Sequence, residues 1–220
     1  MLQTIILFLF LFMNTSYANE NYEDNQDDLL GITDKLFSSG GTRGRCNNFI
    51  DKEGNYGEWG EFVVERLQEE GIDSLFYQND LLAMTSVCKR WPEFNQNEKE
   101  HYWVWIIASM AWDESKCGEH RWMDHNGLVG LLQMEKDVAD RKWRGENCRL
   151  EDLLDHRNNI RCSFDILAEL LKGKDGLYKS NGLLYQNPNS YWEKFRRVGG
   201  GTIGARMRTY TPCDTIESNN

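Results

Sequence analysis

The stretch "QNEKEHYWVWIIASMAWDES", residues 96–115, constrains the fold more than any other. At 100° per residue, Trp103, Ile107, Met110 and Glu114 fall on one stripe, Trp105, Ala108 and Trp112 on a second, and Ile106 on a third. A helix apolar on every side belongs in the middle of a domain and not on its surface. Its apolar part is too short to span a bilayer. Asn95 supplies an N-cap, Glu98 completes a capping box, and Pro92 stands just before. The pattern predicts a buried central helix over 97–115. That helix ends on Asp113-Glu114-Ser115, with a carboxylate where the apolar stripe should continue.

The other elements read as shorter helices around this one. "WGEFVVERLQEE" spaces Phe62, Val63 and Leu67 for a helix that stops by Gly71. "DSLFYQNDLLAMTSVCKRW" predicts one or two short helices ending before Pro92. "RLEDLLDHRNNIRCSFDILAELLKG" predicts one or two more, with Gly173 as the stop, and "NSYWEKFRR" a further short one. Alternation of the strand type is confined to pieces around "GLVGLLQM". The fold class is mainly α, with at most a small β-hairpin.

The chain has 220 residues and a net charge of -10, which suits one domain, or one domain with a tail. The acidic balance argues against nucleic acid, whose binding relies on Lys and Arg at phosphates, and against an anionic membrane surface. The first 18 residues read as a secretory signal cleaved after Ala18, with Ile5–Met13 as its apolar run. The alternative is an uncleaved anchor. After cleavage no stable membrane insertion is expected, and a monomer is. Residues 19–45, rich in Asn, Asp, Gly and Ser, read as a flexible lead-in, and residues 46–220 as the folded domain. Export implies oxidised cysteines. Cys46, Cys88, Cys117, Cys148, Cys162 and Cys213 include no CxxC pair and allow up to three disulfides among 15 pairings, all left open. His120 and His125 form no HExxH or helical i,i+4 pair, so no metal site is expected. Gly199-Gly200-Gly201 follows no strand and reads as a connector.

Desolvation disfavours an ionised carboxylate. Glu114, in line with the buried stripe, is therefore suited to donating a proton near neutral pH. Cleavage of a glycosidic bond needs such an acid, because the leaving oxygen must be protonated as the bond breaks. Ser115 has no His at helical spacing behind it, which argues against a Ser/His nucleophile. The competing reading makes Glu114 an ordinary last-turn residue.

Downstream comes "MDHNGLVGLLQMEKD". Glu114-Ser115 closing a buried helix, followed by Gly130-Leu131-Leu132-Gln133, resembles the lysozyme-like catalytic domain of goose-type lysozymes and soluble lytic transglycosylases. "NNIRCSFDILAELL", with Asn159 and Ile160, is similar to the family's next helix, which packs on the central one. The resemblance spans roughly residues 85–213. It implies that Glu114 is the general acid and that Gly127–Gln133 forms one wall of a glycan groove. Ser115, Gly130, Leu131 and Gln133 would line it, with Gly130 letting backbone approach the sugar and Gln133 bonding an N-acetyl or hydroxyl group. The goose-type branch adds two carboxylates at positions held here by Asp124 and Glu135, where Glu135 is one methylene longer than that branch's usual Asp. A second carboxylate can activate water on the far face of the sugar, giving hydrolysis with inversion. The "AYNAG" segment common in transglycosylases is missing. Tyr191 and Trp192 stand in that region as groove aromatics, and Tyr210 as the late Tyr that faces the acid; packing is the competing role for each.

The function so implied is an exported peptidoglycan glycosidase cleaving β-1,4 bonds without a cofactor. Glu114 would be its acid, with Glu135 or Asp124 holding water. Hydrolysis is favoured over transglycosylation to 1,6-anhydro ends. A net charge of -10 suits a de-N-acetylated, amine-bearing glycan better than an anionic wall, or serves solubility alone. The remaining readings are a non-catalytic wall-binding or inhibitor module and an effector delivered into another cell.

Overall fold

The computed structural model describes residues 46–51, 53–69, 71–79, 82–118, 122–123, 127–135, 148–149, 152–172, 191–192, 194 and 201–214. The expected signal and lead-in, His120, Asp124, His125, Gly173, Gly199, Gly200 and most of "NSYWEKFRR" lie outside them.

The central helix spans Gln96–Ser115 and is fourth in chain order, α4. Its start follows from the side chains present. Asn95 Oδ1 accepts from the Glu98 N–H at 3.0 Å, and Glu98 Oε2 accepts from the Asn95 N–H at 2.8 Å, so two donors of the first turn are satisfied reciprocally. From Tyr102 to Trp112 every residue is buried, with Trp103, Ile107 and Met110 wholly inaccessible.

Around it lie α1 (Glu58–Leu67), α2 (Asp73–Phe76), α3 (Leu82–Thr85), a 3-10 turn over Trp91–Glu93, α5 (His156–Lys172), α6 (Gly201–Arg208) and α7 (Thr211–Asp214). Pro92 stands inside the 3-10 turn, where its missing N–H removes no ladder bond. α6 and α1 pack directly on α4, and α5 packs on α1 and α2. Phe76 of α2 bridges α5 and the central helix: it lies 4.8 Å from the Trp103 ring and 5.1 Å from the Phe164 ring of α5. Arg66 of α1, buried, bonds Asp165 of α5 at 2.7 Å and locks the two helices at their edge.

The strand component is a three-stranded antiparallel sheet of two-residue strands: β1 (Trp122–Met123), β2 (Leu128–Val129) and β3 (Met134–Glu135), in the order β1-β2-β3. It adds one strand to the expected hairpin. Val129 pairs with both Trp122 and Met134, and Leu128 with both Met123 and Glu135. Strands this short are not stable alone. Val129, Leu131, Leu132 and Met134 join the core that contains α4, so burial holds them.

All six cysteines are paired: Cys46–Cys117, Cys88–Cys213 and Cys148–Cys162. No helix among the described residues is long and apolar enough to cross a membrane.

Candidate active site

Glu114 sits in the last turn of α4, half-buried, one step beyond the inaccessible Trp103, Ile107 and Met110 on its stripe. The stripe leaves the core at this residue. Helix ends ordinarily fray, and three features hold this one. Ser115, 2 % exposed, donates its hydroxyl to the Ala111 carbonyl at 3.1 Å and accepts from the Gly118 N–H at 3.1 Å. Lys116 and Cys117 then turn left-handed, with φ of 57° and 54°. Their N–H groups return to Trp112 and Ala111, closing off two of the last carbonyls. The same turn is pinned by the buried disulfide that joins its Cys117 to Cys46. Third, the neighbouring Asp113 forms an ion pair with Arg206 of α6, Oδ2 to Nη1 2.5 Å, with both side chains nearly inaccessible.

Asp113 is the residue that sequence reading passed over. Its pattern was present: Tyr102, Trp105, Ser109 and Asp113 recur every three or four residues along one face. All four meet α6. The Tyr102 hydroxyl donates to the Met207 carbonyl (3.0 Å), Trp105 Nε1 to the Arg206 carbonyl (3.1 Å), and Arg206 Nη1 to the Ser109 carbonyl (3.3 Å). A polar seam thus runs down an otherwise apolar helix and ends beside Glu114.

Glu135 is half-buried on β3, and its N–H donates to the Tyr191 hydroxyl at 2.6 Å. The strand that carries this carboxylate is therefore fixed through its backbone. Asp124, the other expected carboxylate, lies outside the described residues.

The 130–133 turn serves the fold more directly than expected. A Cβ on Gly130 would stand 2.2 Å from the Leu153 carbonyl oxygen and 2.3 Å from Asn159 Nδ2, and φ is 75°. Glycine is required because Asn159 approaches, not a sugar. Asn159, wholly buried, donates to the Val129 and Leu153 carbonyls at 3.2 and 2.9 Å and accepts from the Leu132 N–H at 2.8 Å. Trp192 Nε1 donates to the Leu132 carbonyl at 3.0 Å. Leu131 is inaccessible. Gln133, 3 % exposed with φ of 50°, turns its amide back to the Gly130 carbonyl at 2.8 Å. Ser115, Gly130, Leu131, Gln133, Tyr191 and Trp192 thus brace the elements that carry the candidate acids from within the core. Of the segment expected to form the groove wall, Gly127 and Leu128 retain partial exposure, as does Glu135 just beyond it.

Tyr210 departs furthest from expectation. Its hydroxyl bonds His101 Nδ1 at 2.6 Å, and its ring lies 4.8 Å from Tyr102 and 6.0 Å from Trp105. Those residues precede Glu114 by nine to thirteen positions along α4. At 1.5 Å per residue that is about 14–20 Å of helix, so Tyr210 does not face the acid. It belongs to a latch in which His101 Nε2 also meets the Gly54 carbonyl at 3.3 Å. Burial pushes the Tyr210 phenol far above its ordinary range, with Tyr56 and Glu98 adding to the effect, so it remains a donor. Burial likewise pushes the neighbouring Tyr56 phenol up to about 12. The same burial lowers the His101 imidazole, partly offset by the Gly54 carbonyl.

A pH dependence follows. His101 takes up its proton at a lower pH in the fold than in the unfolded chain, which does so near pH 6.5. The unfolded state then binds more protons, and stability falls as pH drops below about 6.5 until the folded value is reached. One group can contribute at most about 1.4 kcal/mol per pH unit, and the partly exposed ring contributes less because solvent screens it. Denaturant midpoints between pH 7.5 and 5.5 should therefore slope less in His101→Gln than in wild type.

No protein-family model matches the sequence, and no curated protein does. Two solved structures of the Bdellovibrio protein Bd0314 DslA are similar to it, one a glutamate-to-glutamine variant and one the wild type. Identity is 20 % in both, the TM-scores are 0.52 and 0.53, and the match covers 71 % of this chain and 91 % of that one. The shared feature is the fold, a mainly α, lysozyme-like domain.

Proposed function

We propose that this chain is an exported peptidoglycan glycosidase in which Glu114 is the general acid. The observation that carries the reading is a half-buried glutamate at the end of the buried central helix, on a turn braced by Ser115, a disulfide and an ion pair. The fold shared with Bd0314 DslA supports it. In the reaction Glu114 delivers its proton to the oxygen linking two sugars as the C–O bond breaks. Positive charge develops on the anomeric carbon. Glu135, or Asp124, takes a proton from water as that water attacks the opposite face, which regenerates a reducing end with inversion. The backbone-anchored Glu135 favours this hydrolytic route over attack by the substrate's own hydroxyl, since only hydrolysis needs a second carboxylate. The net charge of -10 favours a de-N-acetylated glycan, whose free amines are cationic.

The test is incubation of purified walls with the protein and mass analysis of the soluble fragments. Reducing ends are expected. Ends carrying 1,6-anhydro sugars would assign a transglycosylase, and intact walls with bound protein a binding module. Faster release from fully acetylated than from de-N-acetylated walls at low salt would remove the charge argument.

A further inference from the structure

We infer that Arg206 is a positioning residue for Glu114, acting through Asp113. The inference rests on the reading of Glu114 as the acid and adds a residue that neither motif nor spacing assigns. Ser115 and the Cys46–Cys117 bridge hold the helix end from its downstream side. Rotation of the last turn about the helix axis is resisted from the flank by the Asp113–Arg206 pair, 2.5 Å long, on the residue adjoining Glu114.

Stability alone gives a poor account of this pair. Two charges removed from water are costly, and replacing such a pair with apolar residues of similar volume is often neutral or stabilising. Arg206 also leaves its buried Nε without a hydrogen-bond partner among the described residues, so the guanidinium is oriented toward Asp113 and the Ser109 carbonyl at the expense of its own satisfaction. What the pair supplies is direction. Arg206 is itself tied into the seam, because its backbone carbonyl accepts from Trp105 Nε1. The anchor therefore sits on the helix that α4 already packs against, and the rotational setting of Asp113 is inherited by the next residue. A general acid must be held within about 0.5 Å of its productive position, and a misplacement of about 1 Å costs about 100-fold in rate.

The experiment uses the apolar double variant Asp113→Leu/Arg206→Met, which removes the pair without leaving one charge buried. Amide hydrogen exchange is measured along α4, and kcat and KM on solubilised wall glycan. The amides of residues 114–117 should exchange at least about tenfold faster than in wild type while those of 103–110 are unchanged. kcat should fall about 100-fold with KM within about twofold. Wild-type protection at 114–117, or a loss of protection shared evenly along the helix, overturns the inference. Should the double variant not fold, Arg206→Lys is measured in the same way: it keeps the charge on a shorter stem and should show an intermediate, local rise in exchange, with uniform protection again overturning the inference. If wild type itself releases no glycan fragments, the reading of Glu114 fails, and the exchange data still decide whether Arg206 fixes the turn.

Discussion

Replacing Glu114 by Gln should abolish wall cleavage, lowering the rate about a thousandfold or more while leaving the fold intact. General acid catalysis contributes about 10²–10⁴ to a rate, and the amide has the size of the acid but no proton to transfer. The side chain is half-buried and its turn is held by Ser115, Lys116 and Cys117, so the substitution creates no cavity and leaves the bonds at Ser115 and Cys117 in place. The unfolding midpoint should remain within a few degrees of wild type, corresponding to less than about 1 kcal/mol. Glu114→Asp tests geometry separately: the carboxyl retracts by one methylene, and a displacement of that size should cost about 100-fold. Turbidity clearing, with reducing ends counted in parallel, reads both variants. A Gln variant that clears walls at the wild-type rate would exclude Glu114 as the acid.

Asn159→Leu should cost about 3–6 kcal/mol in stability, the largest effect expected from a single side chain outside the site. Asn159 satisfies two carbonyls, on Val129 and Leu153, and one N–H, on Leu132, all in the interior. Leucine keeps the branched skeleton, with bulkier methyl groups, but supplies neither donor nor acceptor. Each buried group left unsatisfied costs about 1–3 kcal/mol, against a total stability of about 5–15 kcal/mol for a domain. Asn159→Asp keeps only the acceptor and should be no better. The reciprocal change, Gly130→Ala, forces a Cβ into the space of Asn159 and Leu153 at a positive φ and should be destabilising by a similar amount. Urea denaturation with the m-value held constant measures these changes. An Asn159→Leu loss below about 1 kcal/mol would mean that the turn finds other partners. Because Met134 and Glu135 follow this turn directly, activity should fall in the surviving variants even where the fold persists.

The central helix was legible in the sequence because its signals are local. Asn95 and Glu98 lie three residues apart and cap as expected, and a run with no polar face has only one place to go. The even cysteine count, read with the signal-like N-terminus, allowed up to three bridges, and three form, but which thiols meet depends on chain path. The same limit hid Arg206. A helix apolar on all sides has no amphipathic direction, so nothing local says which face meets which neighbour, and Asp113 finds its partner 93 positions away. Gly130 was recognised as a position where something approaches closely. What approaches is the Asn159 side chain, which the separate stretch "NNIRCSFDILAELL" had placed only as the opening of a helix. Tyr210 was misassigned because chain order was taken for spatial order: α6 runs beside α4, and the segment after it reaches the His101 end.

The seam between α4 and α6 also sets a clock. Tyr102, Trp105 and Asp113 take partners from residues 206 and 207, and Cys88 closes only with Cys213. Translation at about 5–20 residues per second places roughly 5–20 s between the appearance of Asp113 and that of Arg206. Throughout that interval the buried central helix lacks the flank it packs on, and the turn that carries Glu114 lacks its lateral anchor. Competence therefore arrives with the last helices, as a late event in the life of the chain, and a molecule truncated before residue 206 would carry every carboxylate of the proposed reaction and still lack the means to hold the acid in place.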